Sequence, residues 1–338
     1  MSDDSQYKEA GVNIDAGNDA VQKIKAALRS TFTPDVLSDV GSFGGMFDAT
    51  RLKGMQAPVL VASTDGVGTK TKVAAKLNRW DTVGADLVNH CINDILVQGA
   101  RPLFFLDYVA SAKLQPEIIA AVVGGMTAAC RAAGIALLGG ETAEMPGVYE
   151  PGEIDIAGTI IGAVERGKVI TGKHITLGDV LLALPSSGLH TNGYSLARKV
   201  LAEMDWSSPN ETLGGSIGEV LLTTHRSYLT EIEKLWTAEI ATHGLAHITG
   251  GGVVENLPRI LKTGLGAQIK RGTWVEPPIF DLIQKSGNVR DAEMFRVFNM
   301  GIGMVIVVPA EQADKALEIC PEAKRVGEII AGAGVEIV

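Results

Sequence analysis

Residues 58–72 read PVLVASTDGVGTKTK, a stretch in which an apolar run is followed directly by residues suited to binding phosphate or metal. The run at 59–62 predicts a buried strand, which would hold the residues after it in a fixed position. Glycine lets backbone N–H groups approach a phosphate, lysine adds positive charge, and aspartate can hold a metal. The residues concerned are Asp65, Gly66, Gly68, Thr69 and Lys70. Their spacing differs from that of a P-loop, so a plain strand-to-turn connection remains the alternative for this stretch taken alone.

The composition is that of an ordinary globular protein. The chain has 338 residues, of which 46% are hydrophobic, enough for about two domains with sizeable cores. The net charge is −9 and no basic run could follow a phosphate backbone, so we do not expect nucleic acid as a partner. No stretch approaches about 18 uninterrupted apolar residues, and the acidic, polar residues 1–11 do not resemble an export signal. We therefore expect a cytoplasmic protein that does not enter a membrane.

The cysteines and glycines indicate the state of the thiols and the kind of loops to expect. Cys91, Cys130 and Cys320 lie in apolar or helical contexts without CxxC or His-rich spacing, which predicts reduced, buried thiols and neither a disulfide nor a zinc site. The 40 glycines cluster after strand-like runs, which favours loops that approach a ligand closely. For any single cluster, the alternative is that glycine simply forms a turn.

Strands and helices alternate along the chain, which predicts an α/β or α+β fold. We expect a domain boundary in the polar, turn-rich segment 165–180, giving domains at 1–168 and 175–338. The glycine-rich segment 40–48 predicts a mobile loop or lid. The predicted strands are 59–62, 103–109, 135–140, 154–164, 180–184, 304–308 and 326–330, and the predicted helices begin after Asn18 and at 80, 116, 192, 253, 278 and 313.

Three further acidic residues lie next to apolar runs in the first half. Asp94 follows Asn93 in a helix that is otherwise apolar, Asp107 lies inside a strand, and Glu141 follows two glycines at the end of another strand. An unpaired buried carboxylate is costly, so a metal or ligand role for Asp94 is favoured over a solvated surface position.

Two loops of the second half lead into helices and are candidates for anion binding. The first, SSGLHTNGYS, contains Ser187, His190 and Asn192, and Asn192 is suited to cap the following helix. For His190 a hydrogen-bonded turn position is the alternative. The second, HITGGG, contains Thr249 and the glycines at 250–252, whose N–H groups together with the helix dipole would suit a phosphate. A flexible turn is the alternative there.

These motifs together resemble one enzyme family. The segments ASTDGVGTKTK, NDILVQGARPLFFLDY, LLGGETAEMPG, SSGLHTNGYS and HITGGGVVENLPR occur in this order, with YKEAGVNIDAGN before them and FRVFNMGIGM after them. The sequence resembles the aminoimidazole ribonucleotide synthetase (phosphoribosylformylglycinamidine cyclo-ligase) family over residues 7–330. The resemblance implies a homodimer in which the N-terminal sheets pair into a barrel, a C-terminal α/β sandwich that supplies much of the substrate cleft, and the use of MgATP.

The resemblance also implies roles for individual residues. It places Asp65, Gly66, Gly68, Thr69 and Lys70 in a nucleotide motif, Lys25 near ATP, and Asp94, Asp107 and Glu141 at acidic positions around Mg²⁺. Among these, Asp65, Asp94 and Glu141 are the expected metal ligands, and Lys70 and His190 are the expected catalytic residues. The expected residues for the substrate, formylglycinamidine ribonucleotide, are Ser187, His190, Asn192, Thr249, Gly250, Gly251 and Gly252.

The chemistry of such a reaction suits these residue types. Phosphorylation of a substrate amide oxygen by ATP would create an iminophosphate that a neighbouring nitrogen displaces, closing an imidazole ring, and such transfer needs mainly positioning and charge neutralisation. Within the superfamily, a thiamine-monophosphate kinase and a selenophosphate synthetase are the alternatives, although residues 40–48 lack the reactive cysteine expected of the latter. A nucleotide-binding protein without catalysis is the alternative from another class.

Overall fold

The computed structural model describes residues 12–338, which form two compact units. The first unit contains the residues up to 91 together with 101–166, and the second contains 92–100 and 167–338. The chain passes from one to the other at 166/167, within the segment 165–180, whereas the assignment of 92–100 to the second unit was not predicted. Residues 1–11, which include the start of the YKEAGVNIDAGN motif and of the predicted domain 1–168, lie outside the described residues.

A mixed four-stranded sheet forms the framework of the first unit, with strand order β1-β4-β2-β3. Strand β4 is antiparallel to β1 and β2, whereas β2 and β3 are parallel. One face of the sheet is buried, as the fully buried Phe105, Val109 and Ile160 show, and Leu60 on the other face is 64% exposed. The strands are β1 (Pro58–Gly66), β2 (Arg101–Ser111), β3 (Ala136–Glu144) and β4 (Ile154–Glu165).

Within residues 12–166, four helices accompany this sheet: α1 (Ile14–Arg29), α2 (Lys70–Leu77), α3 (Val83–Leu96) and α4 (Pro116–Ala132). Helix α1 begins before the predicted start at Asn18 because Asn13 is the N-cap and accepts the Ala16 N–H at 3.2 Å. Pro116 occupies the first turn of α4, where its missing N–H is not needed. The last residues of α3, from Ile92 onward, belong to the second unit.

A six-stranded sheet with the order β12-β9-β11-β5-β10-β8 forms the framework of the second unit. All its pairs are antiparallel except β12 with β9. Every residue of β10 is buried, and so are all but the last of β5, which places these two strands at the centre of the core. The strands are β5 (Val180–Pro185), β8 (Gly244–His247), β9 (Leu265–Ile269), β10 (Ile302–Val308), β11 (Lys324–Ala331) and β12 (Val335–Ile337).

The helices of the second unit are shorter. They are α5 (Tyr194–Val200), α6 (Ile217–Leu221), α7 (Leu229–Thr237), α8 (Gly252–Asn256), α9 (Pro278–Gly287), α10 (Asp291–Val297) and α11 (Ala313–Ile319). A separate two-stranded ribbon joins β6 (Pro209–Asn210) to β7 (Gly215–Ser216). Helix α8 is followed by a 3-10 turn at Leu257–Ile260, because Pro258 has no N–H with which to continue an α-helix. Among residues 12–338, no helix is both long and apolar enough to span a bilayer.

The α/β prediction is confirmed, but several strands extend beyond their predicted ends, and two of these extensions, in β1 and β3, include candidate site residues. Strand β1 continues to Gly66 and β3 to Glu144, so Asp65 and Glu141 are strand residues instead of loop residues. Backbone pairing explains this, because the ladder between β1 and β4 runs without a break to Gly66 and Ala157. The predicted cap at Asn192 is wrong, since Gly193, with φ 79°, is the N-cap of α5.

Candidate active site

Two aspartates and two glycines form one row across the sheet of the first unit. Asp65 pairs with Gly158 of β4, Gly158 pairs with Asp107 of β2, and Asp107 pairs with Gly140 of β3. Residues paired in register project to the same face, and neighbouring strands lie about 4.8 Å apart. The two carboxylates therefore share one face of the sheet, with a single strand between them.

The glycines of this row make room for their neighbours. A Cβ atom at Gly140 would lie 2.1 Å from Asp107 Oδ1, and one at Gly158 would lie 2.1 Å from the ring of Phe105. No side chain larger than hydrogen fits at either position without a shift. Gly140 thus gives the Asp107 carboxyl group its space.

Asp65 remains accessible at the end of β1. Its side chain is 46% exposed, its Oδ2 lies 2.9 Å from His90 Nε2, and its Oδ1 accepts the Gly66 N–H at 2.7 Å. His90 is buried on α3 and thus holds the carboxylate from the helix side of the sheet. This leaves Asp65 well placed to meet a cation from solvent.

Glu141 is placed differently from the other expected metal ligands. It pairs with Tyr108, one residue beyond Asp107, so its side chain lies on the opposite face of the sheet from the row that contains Asp65. Within one subunit, this geometry argues against a single ion bound by both Asp65 and Glu141. Because β3 includes Glu141 and side chains alternate between the two faces along a strand, Glu141 and the neighbouring Gly140 project to opposite faces.

A cavity of about 530 Å³ lies in this unit and is lined by residues of α1, α4, β2, β3 and the segment 39–45. Its walls include apolar side chains of α1, α4 and β3, such as Ile24, Val123 and Leu137, and its rim includes the glycine-rich residues 39–45. Asp107 lies in the lining, where burial raises the pKa of its carboxyl group to about 7 and a hydrogen bond from its own N–H offsets only part of the effect. Segment 40–48 contains turns and bends, and its Phe47 forms an isolated antiparallel bridge with Val36. The Phe47 ring lies 5.0 Å from the ring of Phe104.

Lys70 is not exposed to solvent. Its ammonium group lies 2.8 Å from Asp86 Oδ2 of α3, and both side chains are fully buried. Burial lowers the pKa of Lys70, and the attraction of Asp86 counters part of this shift. This placement argues against direct contact between Lys70 and a phosphate. The ion pair instead connects the first turn of α2 to α3.

The remaining candidate nucleotide-binding residues lie near the Lys70–Asp86 ion pair or near the cavity. Gly68 has φ 54°, a conformation that favours glycine, and Thr69 occupies the N-cap position of α2 without a capping side-chain bond. Lys25 is half-buried on α1. The pKa of Asp39, at the cavity rim, is lowered to about 2, mainly by hydrogen bonds from Arg29 and the Val40 N–H, and the positive charge of Lys25 adds a smaller contribution. Gly66 ends β1.

In the second unit, a buried histidine cluster surrounds residues 93 and 94. His225 Nε2 lies 3.2 Å from Asn93 Nδ2 and 3.1 Å from His247 Nε2, and His247 Nδ1 lies 2.8 Å from Asp94 Oδ1. The ring of His190 stacks on His225 with a centroid distance of 4.0 Å. The three histidines are at most 6% exposed, whereas the Asp94 side chain is 24% exposed.

The hydrogen-bond directions in this cluster follow from Asn93. The Tyr228 N–H donates to Asn93 Oδ1 at 3.0 Å and Asn93 Nδ2 donates to the Arg226 carbonyl at 2.8 Å, which fixes the orientation of the amide. Asn93 Nδ2 is then a donor toward His225, so His225 Nε2 is an acceptor. His247 must carry hydrogen on Nε2, because two lone pairs 3.1 Å apart would repel each other.

This directionality makes the cluster a hydrogen-bonded network. The nitrogens of His190, His225 and His247 lie within 4.8 Å of one another, which is close enough for a metal. However, His190 and His225 are nearly parallel, with 19° between their planes, and their Nε2 atoms accept from the Ser187 N–H and from Asn93. Parallel rings direct their lone pairs side by side and not toward one point.

The loop around His190 is rigidly held. His190 has φ 62°, unusual for a residue with a side chain, its carbonyl accepts the Tyr194 hydroxyl at 3.1 Å, and its Nε2 accepts the Ser187 N–H at 3.1 Å. The Ser187 hydroxyl donates to the Thr224 carbonyl at 2.6 Å. The half-buried Asn192 has its Oδ1 3.2 Å from where a Cβ of Gly250 would lie, so the two predicted substrate loops meet.

The HITGGG loop is ordered by one buried side chain. Asn256 Nδ2 donates to the carbonyls of Thr249, Gly250 and Gly252 at 3.4, 3.1 and 2.8 Å. Gly251 and Gly252 have φ 98° and 60°, which explains the glycines. The expectation of three available N–H groups is corrected in one respect, because the Gly252 N–H donates to the Thr249 carbonyl at 3.0 Å. Helix α8 has only five residues, so its dipole is small.

Sequence reasoning missed His225, His247 and Asn93 as members of the site. His247 opens the HITGGG segment and Asn93 precedes Asp94, so both were adjacent to residues that it did single out. His225 had no local signal, because its partner Asn93 lies 132 residues earlier.

Comparisons with known proteins agree with this arrangement of two units. The family model "AIR synthase related protein, N-terminal domain" matches residues 48–164, and "AIR synthase related protein, C-terminal domain" matches residues 176–338. The chain is 53% identical over 308 residues to the phosphoribosylformylglycinamidine cyclo-ligase of Desulfitobacterium hafniense (strain DSM 10664 / DCB-2), covering 91% of this chain and 90% of that relative. It is 48% identical over 335 residues to the enzyme of the same name from Thermoanaerobacter sp. (strain X514), covering 97% and 98%.

Solved structures share the fold at lower identity. The thiamine-monophosphate kinase of Stenotrophomonas maltophilia K279a matches with a TM-score of 0.67 at 17% identity, covering 93% of this chain and 95% of that one. The hydrogenase maturation protein HypE of E. coli matches with a TM-score of 0.66 at 20% identity, covering 94% and 93%. Because the two family models together span most of the chain and relatives about half identical match over nearly their full length, the chain belongs to the AIR synthase related protein family.

Proposed function

We propose that the protein catalyses the ATP-dependent ring closure of formylglycinamidine ribonucleotide to 5-aminoimidazole ribonucleotide, with release of ADP and phosphate, as a cytoplasmic enzyme of purine synthesis. The observation that carries this proposal is the match to cyclo-ligases at about half identity over more than nine-tenths of this chain. The rigid, glycine-containing loops and the exposed Asp65 supply the polar groups that such a reaction needs.

The reaction consists of two displacements. The substrate amide oxygen attacks the γ-phosphorus of ATP, ADP leaves and the amide nitrogen loses its proton, which gives an iminophosphate. A neighbouring nitrogen then attacks the activated carbon, the C–O bond breaks, inorganic phosphate leaves and the nitrogen loses a proton. Both steps depend on alignment of the reacting groups and on neutralisation of phosphate charge.

We assign the ATP base and ribose to the cavity of the first unit. Its volume of about 530 Å³ lies within the range of roughly 300–1,000 Å³ that is usual for small-molecule sites. Lys25, next to the cavity-lining Ile24, is the candidate cation for the phosphates in place of the buried Lys70.

Magnesium fits the carboxylates available, because it prefers oxygen ligands and keeps several waters. We assign Asp65 and Asp94 to Mg²⁺ binding, which would supply charge neutralisation on the phosphates. Each is partly exposed, and each has one oxygen fixed by a buried histidine, His90 or His247.

The second unit supplies the proposed substrate contacts. The loops that contain His190 and Gly250 meet through Asn192, and both are held by buried hydrogen bonds. We assign the ribose 5-phosphate to the N–H groups of Gly250 and Gly251. The open face of the first unit's sheet, on which Leu60 is 64% exposed, is proposed to pair with a second copy of the chain.

A coupled assay tests the proposal. Purified protein with MgATP should release ADP and phosphate only when formylglycinamidine ribonucleotide is added, and 5-aminoimidazole ribonucleotide should form in equal amount. ATP hydrolysis that does not depend on this substrate would contradict the proposal, and so would a product that retains the phosphate, as a kinase would give.

A further inference from the structure

His225 contacts both of the loops that are proposed to bind substrate. Its side chain is fully buried and comes from the irregular segment before α7. Its ring stacks on His190, and its Nδ1 lies 3.4 Å from the hydroxyl of Thr191, so two residues of the first loop lie against it. Its Nε2 lies 3.1 Å from Nε2 of His247, the residue that opens the HITGGG loop. One buried side chain therefore links the two loops.

Asn93 determines which nitrogen of this ring carries hydrogen. The orientation of its amide is set by the Arg226 carbonyl and the Tyr228 N–H, which are backbone groups and cannot exchange donor for acceptor. Nδ2 of Asn93 therefore donates to His225 Nε2, 3.2 Å away. A neutral ring with an unprotonated Nε2 carries its hydrogen on Nδ1, where it is directed at the Thr191 hydroxyl.

The same arrangement reaches Asp94 through His247. Because His247 Nε2 donates to His225, the His247 ring presents its Nδ1 to Asp94 Oδ1, 2.8 Å away. Asp94 is held in this position whether the hydrogen of that contact resides on His247 or on the carboxyl group. Asn93 and Asp94 are consecutive residues of α3, so the series of contacts begins and ends on one turn of a helix. A closed series of hydrogen bonds of this kind restricts the orientation of each member.

We propose that His225, kept in its Nδ1–H form by Asn93, is a positioning residue that holds both substrate loops and Asp94 in their places. This role rests on the proposed function, in which the loops bind substrate and Asp94 binds Mg²⁺. All the residues concerned belong to the second unit, whereas the cavity assigned to the base and ribose of ATP belongs to the first. Loss of His225 should therefore impair substrate use and Mg²⁺ use, but not the binding of ATP itself.

Two substitutions separate the shape of the ring from its hydrogen bonds. His225→Phe keeps a flat ring that can stack on His190 but loses both nitrogens, whereas His225→Gln loses the ring and can place an amide oxygen where Nε2 was. His243→Phe is the matched control, because His243 precedes β8 and His247 ends it. Nδ1 of His243 lies 2.7 Å from Asp179, so the control removes a comparable histidine hydrogen bond at the other end of the strand.

Steady-state kinetics are measured on the full-length proteins well below the melting temperature of each, so that every molecule is folded. His225→Phe should lower kcat/KM for formylglycinamidine ribonucleotide by about 10- to 100-fold and raise the Mg²⁺ concentration that gives half the maximal rate. His225→Gln, which keeps the acceptor, should stay within about tenfold of the wild type. Calorimetric titration with ATP in the absence of Mg²⁺ should give the same affinity for all the proteins, and His243→Phe should keep wild-type kinetics.

NMR of the histidine ring nitrogens tests the role of Asn93. The chain has six histidines, and the spectrum of His225→Phe identifies the His225 signals by their absence. In the wild type these signals should show a neutral ring with hydrogen on Nδ1. In Asn93→Leu, which has a side chain of similar size but no amide donor, His225 should no longer be restricted to that form. The wild-type spectrum alone decides the ring form if this variant does not fold.

Four outcomes would overturn the positioning role: a wild-type His225 with hydrogen on Nε2, wild-type kinetics in folded His225→Phe, a greater loss in His225→Gln than in His225→Phe, and an equal loss in His243→Phe. Each of them leaves the proposed reaction intact, provided that the wild type forms 5-aminoimidazole ribonucleotide. A wild type that forms none overturns the proposed function, and the positioning role with it.

Discussion

The buried ion pair of Lys70 and Asp86 leads to a prediction that distinguishes a structural role of Lys70 from a catalytic one. Both side chains are fully buried and their charged atoms lie 2.8 Å apart. Lys70→Met would remove the ammonium group from beside the buried Asp86 carboxylate, and removing one partner of a buried pair typically costs about 3–5 kcal/mol. Compared with a total stability of about 5–15 kcal/mol, this is a large loss.

Replacing both partners should restore much of that loss. In Lys70→Met/Asp86→Val, no charge remains to be buried, and apolar replacement of a buried pair is often neutral or stabilising. Lys76→Met, at an exposed lysine of the same helix, is the control and should change stability by less than about 0.5 kcal/mol. Thermal and urea unfolding of the four proteins measure these differences.

Activity of the double variant then decides the role of Lys70. If the lysine only ties α2 to α3, the double variant should recover ATP turnover together with stability. If Lys70 contacts phosphate, the double variant should be stable but inactive. A Lys70→Met protein that loses less than about 1 kcal/mol of stability, while its KM for ATP rises strongly, would refute the structural reading of the pair.

Three further predictions concern the rest of the site. Asp94→Asn should weaken Mg²⁺-dependent ADP release about 10- to 100-fold with little change in melting temperature, and an unchanged Mg²⁺ titration would remove Asp94 from the site. His225→Phe should lower the free energy of unfolding by about 1–3 kcal/mol, because Asn93 and His247 lose their hydrogen-bond acceptor. His225→Gln should lower it less. Thermal unfolding measures both, and the reverse order would mean that only the shape of the ring matters. Between about pH 4 and 7, Asp107 keeps a proton in the folded state that the unfolded chain releases. The free energy of unfolding of the wild type should therefore fall as pH rises through this range, by up to about 1.4 kcal/mol per pH unit. Urea unfolding of Asp107→Asn should not show that fall.

Local patterns predicted the strands and helices well but not their ends. The apolar runs at 59–62 and 135–140 marked the cores of β1 and β3, because burial of one face determines where a strand forms. Their continuation through Asp65 and Glu141 depends on pairing with β4 and β2, which the sequence of a single segment does not reveal. The consequence is functional, since alternation along β3 places Glu141 on the face opposite Asp65.

The site was predicted where its residues lie close together in the sequence. Gly68, Gly251 and Gly252 have positive φ angles, as expected for glycines that shape a loop. Lys70 was expected to face a phosphate because it follows a glycine-rich turn, yet its burial depends on Asp86, sixteen residues later on another helix. The network around His225 likewise depends on tertiary pairing and left no local pattern.

Helix α3 has a consequence for any attempt to divide the molecule. Its last turn and the residues up to Ala100 belong to the second unit, where Asn93 bonds Arg226 and Tyr228 and the Gln98 carbonyl accepts the Ile170 N–H. A fragment that stops at Arg166 would carry residues 92–100, among them the apolar Ile92, Ile95 and Leu96, without the unit to which they belong. During translation residues 92–100 are synthesised before residues 167–338, the rest of their unit. Their apolar side chains are therefore expected to stay exposed until that unit folds. A soluble half-molecule would need these residues redesigned, and chaperone binding during translation is expected to concentrate there.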